Sequence, residues 1–209
     1  MMARIERVVT SGVFSIDGED FDVENNVWIV GDDEEVVVVD AAHDAQAILA
    51  AVGERDVLAV VCTHGHNDHI GAAVEVAEAT GSEIALHPAD GMFWEQVHPD
   101  DVPDIEMAEG GWFDVAGVRL DVLHTPGHSP GAVSLHVPDL EVVFTGDTLF
   151  QGGPGATGRS HSDFPTILAS IKEKLLVLPN HTRVLTGHGD ETTIGAEAPD
   201  YDAWVARGH

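Results

Sequence analysis

The sequence predicts an α/β (α+β) fold in which two β-sheets pack as a sandwich and helices flank them. Short apolar runs separated by turns containing glycine or aspartate are typical of strands. They occur in the order strands, helix, more strands and more helix, which fits two sheets covered by helices. The chain has 209 residues, of which 44% are hydrophobic. We therefore expect one domain over residues 1–209 with a substantial core.

The first half of the chain is predicted to hold five strands and two helices. Gly12, Gly18 and Gly31 mark turns around the first strands. The first helix repeats apolar residues at helical spacing, with Ile48 and Val52 on one face. The strands are expected at 13–16, 26–30, 35–39, 57–62 and 83–86, and the helices at 44–52 and 70–79.

The second half begins with a loop-rich stretch, 87–111, whose aromatic side chains would either line a pocket or cover the core. A helix over 162–178 would begin with Ser162 as its N-cap and hold Pro165 in its first turn. Strands are expected at 118–122, 133–137, 141–144 and 182–185, and a short last helix at 197–206.

A dense array of candidate metal ligands follows the fourth predicted strand: His64, His66, Asp68 and His69. A single histidine in a loop would by default be solvated, but neutral imidazole and carboxylate together are the ligands that zinc, iron and manganese select. Residues two apart on an extended backbone point the same way. His64 and His66 can therefore meet on one ion while Asp68 and His69 turn towards another, and Gly65 leaves room for the close approach.

Three later turns each place one further candidate ligand at or near the end of an apolar run. These turns contain glycine and carry His128, Asp147 and His188. A chance array in one loop would not be expected to have matching residues downstream. The pattern therefore indicates a metal centre assembled from several segments of the chain.

These motifs resemble the metallo-β-lactamase superfamily and, within it, the glyoxalase II-like hydrolases, over nearly the whole chain from about residue 8 to residue 188. The resemblance implies an αββα sandwich of two mixed sheets flanked by helices. It also implies two divalent metal ions, with zinc expected and iron or manganese as the other candidates. One ion would be held by His64, His66 and His128, the second by Asp68, His69 and His188, and Asp147 would bridge the two.

Further roles for four residues follow from the same resemblance. Asp68 would orient the attacking hydroxide as well as bind metal, and Asp147 would fix the distance between the ions. Asp40 closes the third strand and would either support the metal ligands from outside or cap the following helix. Arg159 ends a glycine-rich segment that lies near the pocket in related proteins, where it would either contact substrate or anchor the turn through an ion pair.

The chemistry of such a site favours thioester hydrolysis. Two adjacent cations lower the pKa of a shared water and polarise the substrate carbonyl. A thiolate, whose conjugate acid has a pKa of about 8.5, departs without a strong proton donor, and the motifs supply no separate general acid. Glyoxalase II-like proteins hydrolyse S-acyl adducts of glutathione. The chain ends about twenty residues after His188 and has few cations to hold the carboxylates of glutathione, so the identity of the thiol stays open.

Other functions remain open at this stage. A persulfide dioxygenase of the same fold would use one iron bound by His64, His128 and Asp147. Lactone hydrolysis needs only the same hydroxide attack, and a metal-binding module without catalysis is a third interpretation.

The composition limits the partners. The chain has 37 acidic and 9 basic residues, a net charge of −28, which disfavours nucleic acid because binding to phosphates depends on cationic side chains. We expect a small-molecule substrate and no membrane partner, because no apolar stretch approaches the roughly 20 residues of a span. The start resembles no secretory signal, and Cys62 is the one cysteine and suits packing, so we expect a cytoplasmic protein. The oligomeric state, a homodimer included, and adaptation to a salty host stay open.

Overall fold

The computed structural model describes residues 2–208 and places most of their strands in two six-stranded sheets. Asp17 and Gly18, both with positive φ, form the tight turn between the first two strands, as an Asp-Gly hairpin predicts. The antiparallel pairing of the first three strands gives way to parallel pairing in the last three. In spatial order, the first sheet contains β1 (Arg4–Ile16), β2 (Glu19–Gly31), β3 (Glu35–Val39), β4 (Asp56–Val61), β5 (Glu83–Leu86) and β6 (Ile105–Glu106).

The rest of the chain forms the second six-stranded sheet and a separate two-stranded sheet. Their strands are β7 (Trp112–Val115), β8 (Val118–His124), β9 (Val133–Val137), β10 (Val142–Gly146), β11 (Leu149–Phe150), β12 (Gly153–Pro154), β13 (Arg183–Thr186) and β14 (Thr192–Thr193). Strands β11 and β12 pair with each other, and the other six are arranged in the order β14-β13-β10-β9-β8-β7. The β10–β13 pair is parallel and the other pairs are antiparallel. Both sheets are therefore mixed, as predicted.

Helices cover the outer faces of both sheets. They are α1 (Ala45–Val52), α2 (Asn67–Ile70), α3 (Ala73–Thr80), α4 (Gly91–Val97), α5 (Phe164–Ser170) with a π-helical continuation (Ile171–Leu175), α6 (Ile194–Glu197) and α7 (Tyr201–Arg207). Helices α1 and α3 pack on the first sheet, and α5 and α7 pack on the second. Among residues 2–208, no helix is long and apolar enough to cross a membrane.

Strand β3 shows how the sequence produces these layers. Successive side chains of a strand point to opposite faces, so Val36 and Val38 pack beneath the helices while Val37 and Val39 face the second sheet. All four are buried, because a strand covered on both faces is apolar without alternation. Phe144 and Leu185 of the second sheet pack in the same cluster as Val37 and Val39. The αββα sandwich that the resemblance implied is confirmed.

The helix predicted at 70–79 is wrong in its boundaries, because the structure breaks this segment into α2 and α3. The amide N–H of Ala72 donates to Ala41 O (2.9 Å) in the loop after β3. The break lies beside Gly71, where a Cβ would approach Asn67 O to 2.8 Å. The short helix α2 thereby carries Asp68 and His69 separately from the longer helix behind them.

The stretch 87–111 is less loop-like than predicted, because it contains α4. The prolines of this stretch and the glycine that begins α4 weaken the local helix signal, and no side chain caps the N-terminus of α4. Burial stabilises it instead: Trp94 is 1% exposed in the core, and its indole Nε1 donates to Asp101 O (2.9 Å). Tertiary packing thus overrides a weak local propensity.

The capping prediction for Ser162 was wrong, and of the two roles left open for Asp40 the structure excludes the cap. Asp163 rather than Ser162 caps α5, since its Oδ1 accepts from Thr166 N (2.8 Å), although Pro165 does lie in the first turn. The hydroxyl of Ser162 accepts from Gly158 N (2.9 Å) instead. Asp40 does not cap α1, because Asp44 accepts the N-cap hydrogen bond of that helix from Ala47 N (3.0 Å).

Candidate metal centre

The candidate ligands gather at one edge of the sandwich, where strands of both sheets end. The array of three histidines and Asp68 follows β4 and runs into α2. His128 lies in the β8–β9 loop, Asp147 follows β10, and His188 follows β13. The structure brings all seven candidate residues into three overlapping groups whose donor atoms lie within 4.8 Å of one another.

The first group consists of His64, His66 and His128. Nδ1 of His66 lies 3.1 Å from Nε2 of His64 and 3.0 Å from Nε2 of His128. All three residues are buried: His64 is 1% exposed, His66 5% and His128 7%. Three buried imidazole nitrogens at this spacing can bind one cation together.

The second group consists of Asp68, His69 and His188. Asp68 Oδ2 lies 3.5 Å from Nε2 of His69 and 3.2 Å from Nε2 of His188, and these two nitrogens are 3.3 Å apart. His188 is the one partly exposed member, with a side chain that is 24% exposed. One carboxylate and two imidazoles form a second, separate set of donors.

Asp147 lies between the two groups. Its Oδ1 is 3.3 Å from Nε2 of His69, and its Oδ2 is 3.6 Å from Nε2 of His128 and 3.5 Å from Nε2 of His188. One carboxylate therefore faces donors of both groups. This is the position that a bridging ligand requires.

Hydrogen bonds on the far sides of the rings fix which nitrogen faces the centre. Nδ1 of His69 donates to Asp40 Oδ2 (3.0 Å), that of His128 to Ala156 O (2.8 Å), and that of His188 to Glu24 O (2.7 Å). Each Nε2 therefore faces inwards, and it is the nitrogen that can bind a metal ion once it carries no proton. The donor set therefore fits two metal ions.

Buried carboxylate oxygens support the same conclusion. Asp68 Oδ1 and Asp147 Oδ1 are buried, yet they accept no hydrogen bond from any residue in the described part of the chain. Buried acceptors are normally satisfied, and an unpaired carboxylate oxygen in the interior is costly. Cations at this edge would satisfy both atoms.

Asp40 holds the ligand loop from behind. It has positive φ (57°) at the end of β3, and its carboxylate accepts from Thr63 N (2.7 Å), Thr63 Oγ1 (2.8 Å) and His69 Nδ1. A non-glycine residue in this region is strained, and such strain clusters at functional sites. Asp40 therefore holds the ring of His69 and the backbone of Thr63 in place.

The electrostatics divide the centre into a neutral side and a charged side. Burial lowers the pKa of His66 to about 3. Burial also acts to lower the pKa of His69 and His188, but the carboxylates of Asp68 and Asp147 outweigh it, so the pKa of His69 lies well above its ordinary value and that of His188 is about 10. The second group thus has a strongly negative potential, which favours a cation.

Two residues that contact the ligand loops were not identified from the sequence. Asp90 is completely buried, and its carboxylate accepts from Gly65 N (2.9 Å), Ser129 Oγ (2.6 Å) and Gly131 N (2.6 Å). It thereby connects the loop of His66 to the loop of His128. It lies in the stretch interpreted as a loop, where an exposed aspartate is the ordinary expectation, so no sequence signal identified it.

Asn25 is the second missed residue. It is completely buried at the start of the apolar half of β2, and its side-chain Nδ2 donates to Asp68 Oδ2 (3.1 Å). Two adjacent asparagines, Asn25 and Asn26, before the apolar run that starts at Val27 were a usable signal. The sequence pattern alone could not show which partner Asn25 meets.

A cleft of about 340 Å³ opens beside His66. Its walls include the β1–β2 turn and helix α4, and Phe93 packs against the His66 ring with centroids 4.9 Å apart. Among the aromatic side chains of the stretch 87–111, Phe93 therefore lines the cleft, whereas Trp94 covers the core. The cleft leads from solvent to the first ligand group, where a substrate can approach.

Arg159 directly precedes Ser160 and His161, which line this cleft. Its guanidinium forms an ion pair with Glu19 and lies over the ring of Phe21, 5.3 Å from the ring centroid. The next residue donates its backbone N–H to Asp17 Oδ2 (3.1 Å). The glycine-rich loop is thus attached to the β1–β2 hairpin, which is the anchoring role considered for Arg159.

Three further histidines have contacts outside the ligand groups. The rings of His87 and His124 stack with centroids 4.2 Å apart, and His98 donates from Nε2 to Ile70 O (2.8 Å). In residues 2–208, none of them belongs to a ligand group. Cys62 is buried, and burial raises the pKa of its thiol well above the ordinary value, which suits a packing role.

Known proteins share this sequence pattern and fold. The family model described as "Metallo-beta-lactamase superfamily" matches residues 21–188. "Probable metallo-hydrolase YqgX" of Bacillus subtilis (strain 168) is 36% identical over 190 residues, covering 84% of this chain and 90% of that protein. "Hydroxyacylglutathione hydrolase GloC" of Haemophilus influenzae is 33% identical over 190 residues, covering 83% of this chain and 90% of that protein.

A solved structure gives a similar result. The crystal structure of TTHA1623 in a di-iron-bound form is 34% identical and has a TM-score of 0.76, covering 84% of this chain and 93% of that chain. The span matched by the family model contains every member of the ligand groups, and His188 is its last residue.

Proposed function

This chain belongs to the metallo-β-lactamase superfamily of metal-dependent hydrolases, and we propose that it hydrolyses a thioester, an S-acyl adduct of a small thiol. The observation that carries this proposal is the arrangement of seven donor residues in two groups that share Asp147. We propose that His64, His66 and His128 hold one ion, that Asp68, His69 and His188 hold the other, and that zinc is the native metal.

Two divalent ions bound there would supply a hydroxide nucleophile near neutral pH and polarise the substrate carbonyl. The protein's own groups then orient the reaction. Asp68 Oδ1 accepts no hydrogen bond within residues 2–208, so it is available to accept one from the attacking water. Asp40 keeps the proton of His69 on Nδ1 through their 3.0 Å contact, which leaves the inward nitrogen free to act as a ligand.

The leaving group selects the substrate class. An amine normally needs protonation as it departs, whereas a thiolate with a conjugate acid of pKa about 8.5 does not. Within residues 2–208, the carboxylates and imidazoles that converge here are the candidate metal ligands, and we assign them to the ions rather than to a separate acid. The name of the relative GloC, a hydroxyacylglutathione hydrolase, supports this choice.

The thiol carrier is expected to lie in the cleft beside His66. Among its lining residues, Asn67 and Gln96 are neutral and Asp17 is acidic, and nearby Arg159 is already paired with Glu19. These walls suit a carrier with little negative charge better than they suit the two carboxylates of glutathione. Thioesters with one acyl group on different carriers therefore give the most informative substrate series.

The alternative function is a mononuclear iron persulfide dioxygenase. It would bind its iron through His64, His128 and Asp147, and the other candidate ligands would bind no metal ion. Nδ1 of His66, however, lies 3.0–3.1 Å from the inward nitrogens of His64 and His128, and the second group is equally convergent. These contacts favour two ions and hydrolysis. Iron remains a candidate metal because TTHA1623 binds two iron ions, and lactone hydrolysis requires the same attack.

The test is a substrate series on the zinc-loaded protein. We expect free thiol to be released from S-lactoyl-N-acetylcysteamine and S-lactoylglutathione, faster from the uncharged carrier, and little opening of a matched lactone. His128→Ala should lower kcat/KM by more than about 100-fold, since loss of an outer-sphere partner alone costs about 10–100-fold. His181→Ala is the control because its side chain is 63% exposed, pairs with Glu141 and, within residues 2–208, belongs to no ligand group. Absence of thiol release from every thioester would refute the proposal.

A further inference from the structure

With one exception, the polar side chains that line the cleft beside the ligand His66 are already hydrogen-bonded to other groups of the protein. The bonded side chains are Ser15, Asp17, Asn67, Gln96 and Ser160. The exception is His161, whose ring contacts an aromatic neighbour and forms no hydrogen bond within residues 2–208. Its ring nitrogens are therefore available to a molecule in the cleft.

His161 lies one aromatic ring away from the metal centre. Its ring meets that of Phe93 edge to face, with centroids 5.6 Å apart, and Phe93 meets the ring of His66 in the same manner at 4.9 Å. A thioester whose carbonyl lies at the first ligand group would pass its carrier across Phe93 towards His161. The imidazole is thus placed to contact the carrier rather than the reacting carbonyl.

The backbone holds this imidazole in place. His161 has a positive φ of 68°, which is costly for a residue other than glycine and persists only where the surrounding structure fixes it. The N–H of Ser160 donates to Asp17 Oδ2 (3.1 Å), and Ser162 Oγ accepts from two backbone amides of the same loop (2.9 Å and 3.1 Å). The loop is therefore fixed on both sides of His161, and strain of this kind clusters at ligand clamps.

The surroundings of His161 suit an amide-bearing chain. Binding pockets combine apolar walls with a few placed polar groups, and here Ile16, Phe93 and Val97 supply apolar walls while His161 supplies a polar group. An imidazole offers an N–H donor and, when neutral, an acceptor nitrogen, which match the C=O and N–H of an amide. Thiols built on cysteine or cysteamine carry an amide a few bonds beyond the sulphur.

We propose that His161 is a specificity-determining residue that hydrogen-bonds an amide of the thiol carrier. The preferred substrates are then thioesters of thiols that carry an amide close to the sulphur. This inference rests on the proposed hydrolysis and deepens it by naming the chemical class of the carrier. Because the contact lies away from the reacting atoms, it acts on the affinity for substrate rather than on the chemical step.

The binding test uses two thioethers that cannot be hydrolysed, because a methylene separates their ketone carbonyl from the sulphur. One is S-(2-oxopropyl)-N-acetylcysteamine, and the other carries a pentyl chain of the same length without the amide. Calorimetry on the zinc-loaded protein gives a Kd for each. We expect His161→Gly to weaken binding of the amide compound about 3- to 10-fold, the contribution of one hydrogen bond, and to leave the Kd of the pentyl compound unchanged.

Two further variants separate the ring from the backbone. Glycine readily adopts positive φ, so His161→Gly removes the imidazole without adding strain. Asparagine also tolerates this conformation and keeps a donor and an acceptor, so His161→Asn should retain part of the preference for the amide compound. Glu141→Gly is the matched control, because Glu141 is exposed, has a positive φ of 55° and lies outside the cleft. It should bind both compounds as the wild type does.

Kinetics give a second measurement. With the corresponding S-lactoyl thioesters, His161→Gly should raise KM for the N-acetylcysteamine ester alone and leave kcat unchanged, as loss of uniform binding predicts. Equal effects of His161→Gly on both thioethers, no effect on either, or a wild type that binds neither would overturn the inference. A wild type that releases no thiol from any thioester would refute the proposed hydrolysis instead, and the thioether series would still decide the role of His161.

Discussion

Substituting Asp90 by asparagine should weaken both the fold and the first metal site. The carboxylate is completely buried and joins the loops that carry His66 and His128. Its Oδ2 accepts from Gly65 N and Ser129 Oγ, and its Oδ1 accepts from Gly131 N. Asparagine keeps the shape of the side chain but offers one acceptor oxygen in place of two.

The magnitude follows from these three hydrogen bonds. The asparagine amide keeps the most hydrogen bonds when its oxygen takes the position of Oδ2. Its NH₂ group then faces the N–H of Gly131. A buried donor without an acceptor costs about 1–3 kcal/mol. The other two hydrogen bonds lose the assistance of the charge, which makes up about half of their strength. We therefore expect Asp90→Asn to lower the free energy of unfolding by about 2–4 kcal/mol.

The assay is urea unfolding of the metal-depleted protein, followed by a metal titration. We expect the ion held by His64, His66 and His128 to bind at least about tenfold more weakly, because outer contacts set ligand positions. Asp104→Asn is the control, because this exposed carboxylate accepts from Ile84 N (2.9 Å) outside the metal centre. Its free energy of unfolding should differ from that of the wild type by no more than about 0.5 kcal/mol. Equal stability and equal metal affinity in Asp90→Asn and wild type would refute this reasoning.

Three further predictions concern charge. Arg159→Ala and Glu19→Gln should raise KM to a similar extent and cost less than about 1 kcal/mol each, because both break one exposed ion pair; a rise in KM confined to Arg159→Ala would instead indicate direct contact with substrate. Binding of the second ion near neutral pH should release protons, since His69 and His188 have pKa values above their ordinary range, that of His188 about 10. Calorimetry in buffers of different ionisation enthalpy measures this release, and affinity that does not increase between pH 6 and pH 9 would contradict it. The net charge of −28 predicts that the Tm rises with NaCl, because the screening length falls from about 10 Å at 0.1 M to about 3 Å at 1 M; a flat or falling Tm would show that self-repulsion is unimportant.

The strands and the ligand motifs could be predicted because their signals are local. Strand β3 is a run of valines after Glu35, and the four motif residues after β4 all lie within residues 64–69. Helix α4 could not be predicted, because the burial of Trp94 rather than local propensity stabilises it. Asp90 and Asn25 escaped notice for a related reason. Their partners lie on distant segments, and only the folded chain shows that each carboxylate or amide meets a metal-ligand loop.

Elemental analysis of the purified protein, paired with oxygen uptake on glutathione persulfide, tests the central claim most directly. The two convergent donor groups that share Asp147 predict about two divalent ions per chain and no oxygen consumption. About one iron per chain with rapid oxygen uptake would contradict the account. It would then assign the reaction to His64, His128 and Asp147 and leave the second group without a catalytic role.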